Sequence, residues 1–245
     1  MTKTNSTICG LSSAMLLSIS SAPAAIVASW DDWANDTTYA ADDTTTGFSA
    51  TASIPTTGRA NSSFGSTDGN YGDGPTGANT SLTGLLVRGS NGDNVVTITL
   101  NNATGSSYTI DSIHFDYGRR IQSPNAFSLV YTSGGLGIDG TTIGSDSGLI
   151  TNVGFEPAGP GSGDQSVGQG DTYYEYDFTL ASTLTDTTLD TGESAVFTLT
   201  FSGQTADIAS GVLDNLAIQG TAVPEPSSAA LLGLGGLALC LRRRK

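Results

Sequence analysis

Reactive side chains are scarce in this chain of 245 residues, and their scarcity removes whole classes of chemistry. Both cysteines, Cys9 and Cys240, lie near the termini, so residues 25–222 contain no thiol and cannot be held by disulfides. His114 is the only histidine. Zinc needs three or four nitrogen- or sulfur-rich ligands, and one histidine without cysteine cannot supply a usual set. No Gly-x-Ser-x-Gly elbow is present to activate a serine nucleophile. Lysine is absent from residues 25–222. Only Arg59, Arg88, Arg119 and Arg120 oppose 22 acidic residues there, a formal charge of 4 − 22 = −18. Such a surface repels a phosphate backbone and an anionic leaflet, which excludes nucleic-acid binding and peripheral membrane docking. Divalent cations are its natural counterions.

Helical alanine-leucine periodicity is missing too. Threonine, valine, tyrosine and phenylalanine recur instead in short runs bounded by Gly, Asn, Asp and Ser, an all-β composition. Residues 94–100 place Val96, Ile98 and Leu100 on one face, and 126–132 do the same with Phe127, Leu129 and Tyr131. Residues 173–180 send Tyr174, Tyr176, Phe178 and Leu180 inward and Tyr173, Glu175, Asp177 and Thr179 to solvent. Residues 194–202 bury Ala195, Phe197, Leu199 and Phe201, and 211–219 form a last strand carrying Leu216 and Ile218. Within 108–117 the apolar phase slips between Ile110 and Ile113, which predicts a β-bulge near Asp111 and Ser112. The turn at 101–105 makes residues 94–117 read as a hairpin. The expected fold is a two-sheet antiparallel sandwich of jelly-roll type, with an immunoglobulin-like sandwich as the alternative. Two stretches, 35–80 and 133–170, resist assignment, and each is expected to hide a short strand, for example near 149–155.

The candidate sites within this domain are modest. His114 falls on the outward phase of its strand and pairs with Asp116, a structural arrangement. Glu175 and Asp177 share one strand face. Glu-x-Asp-x-x-Glu in a jelly roll resembles the catalytic strand of laminarinase-type glycoside hydrolases, but the third carboxylate position is Leu180 and no tryptophan flanks it. A solvated strand face is the expectation. Asp68, Asn70 and Asp73 pack oxygen donors among glycines, the donor type calcium requires, although without EF-hand spacing; the alternative is an ordinary Asx-turn loop. Asp139 and Asp146 lie in another such loop. Trp30 and Trp33 are read as part of an edge strand that plugs one tryptophan into the core, with sugar stacking as the alternative. Arg119 and Arg120 are read as partners of nearby carboxylates, with a uronate or sulfate grip as the alternative.

The two ends carry addresses. Lys3, a modest apolar stretch over 8–19 and the small-x-small triplet Ala22-Pro23-Ala24 form a signal peptide, residues 1–24, for the Sec translocon and signal peptidase. At the other end Pro224-Glu225-Pro226 leads into apolar residues 229–241, which stop against Arg242, Arg243, Arg244 and Lys245. Thirteen residues at about 1.5 Å each form a helix of roughly 20 Å, short of a core of about 30 Å, so this transmembrane helix is marginal and suits a temporary anchor. The four cations favour the cytoplasmic side, placing residues 25–222 across the membrane. This order of parts over residues 223–245 resembles the PEP-CTERM sorting signal of Gram-negative bacteria. The resemblance implies recognition of Pro224, Glu225 and Pro226 by exosortase, a membrane protease-transpeptidase, in organisms that make exopolysaccharide. It covers about a tenth of the chain and implies a route of export to the envelope or matrix; with so few catalytic candidates in residues 25–222, a protein without enzymatic activity is expected there. A carbohydrate-binding module and a glycan-degrading enzyme are the alternatives, and no cofactor other than calcium is expected.

Overall fold

The computed structural model describes residues 24–33, 36–55, 60–61, 66, 71, 83–87, 95–119, 122–149, 173–205 and 211–224, all within one compact unit, Ala22–Glu225. The strands in chain order are β1 (Ala25–Trp30), β2 (Thr38–Ala40), β3 (Asp43–Thr44), β4 (Phe48–Ser53), β5 (Ala60–Asn61), β6 (Gly84–Val87), β7 (Val95–Asn102), β8 (Tyr108–Gly118), β9 (Ala126–Gly134) and β10 (Thr141–Ser147). They continue with β11 (Tyr174–Thr179), β12 (Thr188–Leu189), β13 (Ser194–Ser202) and β14 (Gly211–Ala222), and a single 3₁₀ turn, Leu180–Ser182, follows β11. Among the described residues no helix is long and apolar enough to cross a membrane. The helix expected over 229–241 lies outside them, as do the signal peptide and Arg242, Arg243, Arg244 and Lys245.

Two antiparallel sheets face each other. One runs β11-β8-β14-β1-β3, with β12 beside β8, β6 beside β14 and β5 beside β6. The other runs β10-β9-β13-β7-β4-β2. Stripped to eight strands, β6-β14-β8-β11 packs on β7-β13-β9-β10, the double Greek key of a jelly roll. The core forms where the two alternating faces meet. Phe115 of β8 meets Phe127 of β9 edge-on at 5.2 Å, and Tyr117 stacks on Phe201 of β13 at 4.7 Å. Each such ring, fully buried, contributes roughly 1.5–3 kcal/mol. β7, β9 and β13 bury the faces their alternation requires.

The structure corrects the hairpin expected over residues 94–117. β7 pairs with β4 and β13, whereas β8 pairs with β11, β12 and β14 in the opposite sheet. The turn between them crosses the sandwich. Asn102 holds it there, donating from Nδ2 to the carbonyls of Ser106 and Leu189 at 2.9 Å each and accepting from the Thr104 amide at 3.0 Å. Both strands therefore bury one face in the same core without pairing with each other. Among the described residues, the stretch 35–80 holds the short strands β2 to β5, and 133–170 holds β10. β10 lies N-terminal to the region expected to be extended, of which residues 150–155 fall outside the described ones. Its inner face carries Thr141, Ile143, Gly144 and Asp146, too little apolar signal to show.

The bulge is where the phase slip put it. Gln219 is registered with Ser112 and Gly220 with Ile110, which leaves Asp111 as the extra residue of β8. The Thr221 hydroxyl donates to Asp111 Oδ2 at 2.7 Å. A second irregularity lies between Asp214 and Ala217 on β14. Asn215 there takes φ 47°, among the described residues the only one other than glycine at positive φ, and asparagine tolerates that region better than most.

Candidate functional site

β14 is central in its sheet and buried on both faces along Gly211–Gly220. Its outer face carries an interior polar seam where a solvent face would be expected. Asp116 of β8 is in register with Asp214 of β14 on one side and with Glu175 of β11 on the other. His114 is in register with Asp177 in the same way. These residues therefore project from one side of the sheet. His114, Asp116, Asp214 and Asn215 are all 0% exposed.

Contacts run along the seam without a break. Trp33 Nε1 donates to Asp214 Oδ1 at 3.2 Å, and the Ser66 amide donates to Asp214 Oδ2 at 2.6 Å. Asn215 Nδ2 donates to Asp116 Oδ2 at 2.6 Å. His114 Nε2 lies 3.3 Å from Asp116 Oδ1, and His114 Nδ1 lies 2.9 Å from Asp177 Oδ1, a carboxylate that reaches solvent. Gln219 Nε2 donates to the Tyr71 carbonyl at 2.7 Å. Ser66 and Tyr71 thus cover the sheet, which explains why the outward phase of β8 is buried.

Burial sets the proton affinities. It pushes the Asp214 carboxyl well above the carboxylate range; the Ser66 amide opposes that shift and the charges of Asp31 and Asp116 reinforce it. Burial by itself lowers the His114 imidazole, but the hydrogen bonds and charges of Asp116 and Asp177 outweigh it, and the net direction is upward. The seam is a set of groups that favour retaining protons. Among the described residues the side chains against the His114 ring nitrogens are Asp116 and Asp177, with no hydroxyl or thiol bonded to the ring.

The remaining expected residues are placed as follows. Trp30 and Trp33 are each 1% exposed, with Trp30 Nε1 donating to the Tyr39 carbonyl at 3.2 Å, which removes sugar stacking on their faces. β1 lies between β14 and the two-residue β3 and so is not an edge strand. Glu175 and Asp177 sit on the outer face as expected, but Asp177 is engaged by His114. Tyr173, expected at solvent, is buried with Val212 against Leu86 on that face. Arg119 is buried and donates to the carbonyls of Pro124 at 3.1 Å and Leu149 at 2.9 Å, so it is no surface anion grip; Arg120 lies outside the described residues. Asp68, Asn70 and Asp73 also lie outside them, between Ser66 and Tyr71 or just beyond. Among the described residues no group of three or more His, Cys, Asp or Glu is arranged to hold a metal ion.

At the C-terminal end, β14 closes at Ala222 and the Val223 amide donates to the Ser107 carbonyl at 2.9 Å. Pro224 is exposed, and Glu225 and Pro226 lie outside the described residues. A second feature is a cleft between β10 and β11 at one flank of the sandwich.

Residues 222–245 match the family of the PEP-CTERM protein-sorting motif. Among curated proteins nothing matches the sequence. The fold is similar to two solved domains: the K2 cleaved adhesin domain of Lys-gingipain (12% identity, 59% of this chain and 74% of that one, TM-score 0.33) and the K3 cleaved adhesin domain of Lys-gingipain from Porphyromonas gingivalis W83 (10% identity, 80% and 98%, TM-score 0.33).

Proposed function

We propose that this protein, an exported and membrane-anchored precursor carrying the PEP-CTERM motif of an exosortase-like enzyme's substrates, serves after processing as a non-catalytic component of the envelope or extracellular matrix, in contact with exopolysaccharide. One observation carries the reading. The central strand of the sandwich runs directly into the motif, with the Val223 amide bonded to the Ser107 carbonyl and Pro224 exposed. A cut on the C-terminal side of that point releases the jelly roll with every strand in place and removes the apolar and basic residues. Before the cut, residues 229–241 hold the precursor in the inner membrane after export through the Sec translocon. The non-catalytic reading is in keeping with the seam, where His114 lies between Asp116 and Asp177. The flank cleft favours a second reading, a glycan-binding module.

Replacing Glu225 with alanine tests the sorting step. The precursor then accumulates in the membrane fraction with its tail attached, while the wild-type protein is recovered without it. Normal maturation of the Glu225→Ala protein would count against processing at this motif.

A further inference from the structure

Among the described residues β10 and β11 are the outermost strands of their sheets at one flank. Between them opens a cleft of about 330 Å³ lined by Asp146, Gly148, Leu149, Tyr174, Glu175 and Tyr176. That volume is at the low end of the roughly 300–1,000 Å³ of small-ligand pockets, room for one or two sugar rings. Register fixes what faces it. Tyr174 and Tyr176 are paired with Tyr117 and Phe115, so they leave β11 on its inner face. Tyr176 stacks on Phe115 at 5.3 Å and meets Phe127 edge-on at 4.7 Å. Asp146 is paired with Phe127 and leaves β10 on the inner face of its own sheet. An exposed carboxylate therefore confronts two half-buried tyrosines across the opening. Burial pushes the Tyr176 phenol up to about 12, with the Asp146 charge adding to it, so it is a protonated donor at any physiological pH.

We infer that this cleft binds a glycan unit carrying a free amino group. The proposal deepens the matrix reading above and rests on it for the choice of a glycan as ligand. Tyrosine faces accept the apolar face of a pyranose and attract an ammonium group, and a carboxylate forms its strongest hydrogen bonds with such a cation. The charge of −18 on residues 25–222, 4 − 22, selects in the same direction. A uronate or sulfated sugar is repelled, a neutral sugar gains only stacking and hydroxyl contacts, and a glucosamine-type unit is drawn in.

The test is calorimetric titration of the full chain in mild detergent, at about 150 mM salt to screen diffuse attraction, with three probes: a β-1,4-glucosamine pentamer, its fully N-acetylated counterpart and an oligogalacturonate. The glucosamine oligomer is expected to bind about tenfold more tightly than the acetylated one, and the uronate not at all. Asp146→Asn and Tyr174→Ala each weaken glucosamine binding about tenfold, while Asp43→Asn, an exposed change on β3, leaves it unchanged. Equal loss with Asp43→Asn would show general attraction of a polycation and overturn the site, as would absence of binding or indifference to acetylation. Failure of the Glu225→Ala test with these affinities intact would remove the sorting reading and leave the cleft.

Discussion

Replacing His114 with glutamine removes the only imidazole of the seam and leaves Asp116 and Asp177 facing a neutral amide. Of the two contacts, the one to Asp177 weighs less, because that side chain is 44% exposed and water screens it. The other lies between groups both 0% exposed, and breaking a buried pair by removing one partner costs about 3–5 kcal/mol. Asp116 keeps its 2.6 Å bond from Asn215 Nδ2, which places the loss near the lower end, about 3 kcal/mol in acid. For a domain of this size that lowers the midpoint by about 6–12 °C. The sign follows from the raised folded-state imidazole. Its contribution is fully present below the ordinary value of about 6.5 and is lost as pH rises through the higher folded value. The groups facing it are Asp116 on its own strand and Asp177 on β11; on β14 its register partner is Ala217, while Asp214 lies opposite Asp116 and Asn215 bonds to Asp116. Asp214 is also raised, so it too favours the acid side, but it is present in both proteins and largely cancels in the difference. Thermal unfolding of the full chain and of His114→Gln from pH 5 to pH 9 should give curves that are far apart in acid and converge as pH rises. Parallel curves, or a gap that widens toward alkaline pH, would refute the imidazolium bridge.

Two stability predictions concern single residues, each read by thermal or urea unfolding. At Asn215, alanine loses the bond to Asp116 and also strains at φ 47°, whereas glycine loses only the bond; Asn215→Ala should be the less stable by about 1 kcal/mol, and the opposite order would show that the backbone there costs nothing. At Gly144 an added Cβ overlaps the ring of Phe178, so Gly144→Ala is expected to destabilise by about 1–2 kcal/mol through displaced packing, and an unchanged midpoint would mean that the ring yields freely.

The strands most legible in the sequence were those with one face in the core. β7 carries Val96, Ile98 and Leu100, β9 Phe127, Leu129 and Tyr131, and β13 Phe197, Leu199 and Phe201 at alternate positions, and the burial pattern follows that rhythm. The bulge at Asp111 was legible for a related reason: two apolar phases in one strand cannot both point inward unless a residue is inserted. The seam was not legible. His114, Asp116, Asp214 and Asn215 look like an ordinary outward phase, and only the covering of that face by Ser66 and Tyr71, about 150 residues away from Asp214 and Gln219, turns it into interior. The hairpin over 94–117 failed because a tight turn looks the same whether its strands pair or cross between sheets. The cleft has no signature in the sequence, because Asp146 and Tyr176 come together through the placement of β10 and β11 at one flank.

Local chemistry was enough to specify an acidic, cysteine-free all-β domain and the tail that marks it for sorting, because period-two alternation and a triplet, apolar run and basic stop are properties of neighbours along the chain. Which face of the β8 sheet is dry, which carboxylates hold protons and where a ligand can enter were decided only by the folded arrangement. Those depend on desolvation and on pairings between residues far apart in sequence, and no local pattern encodes either.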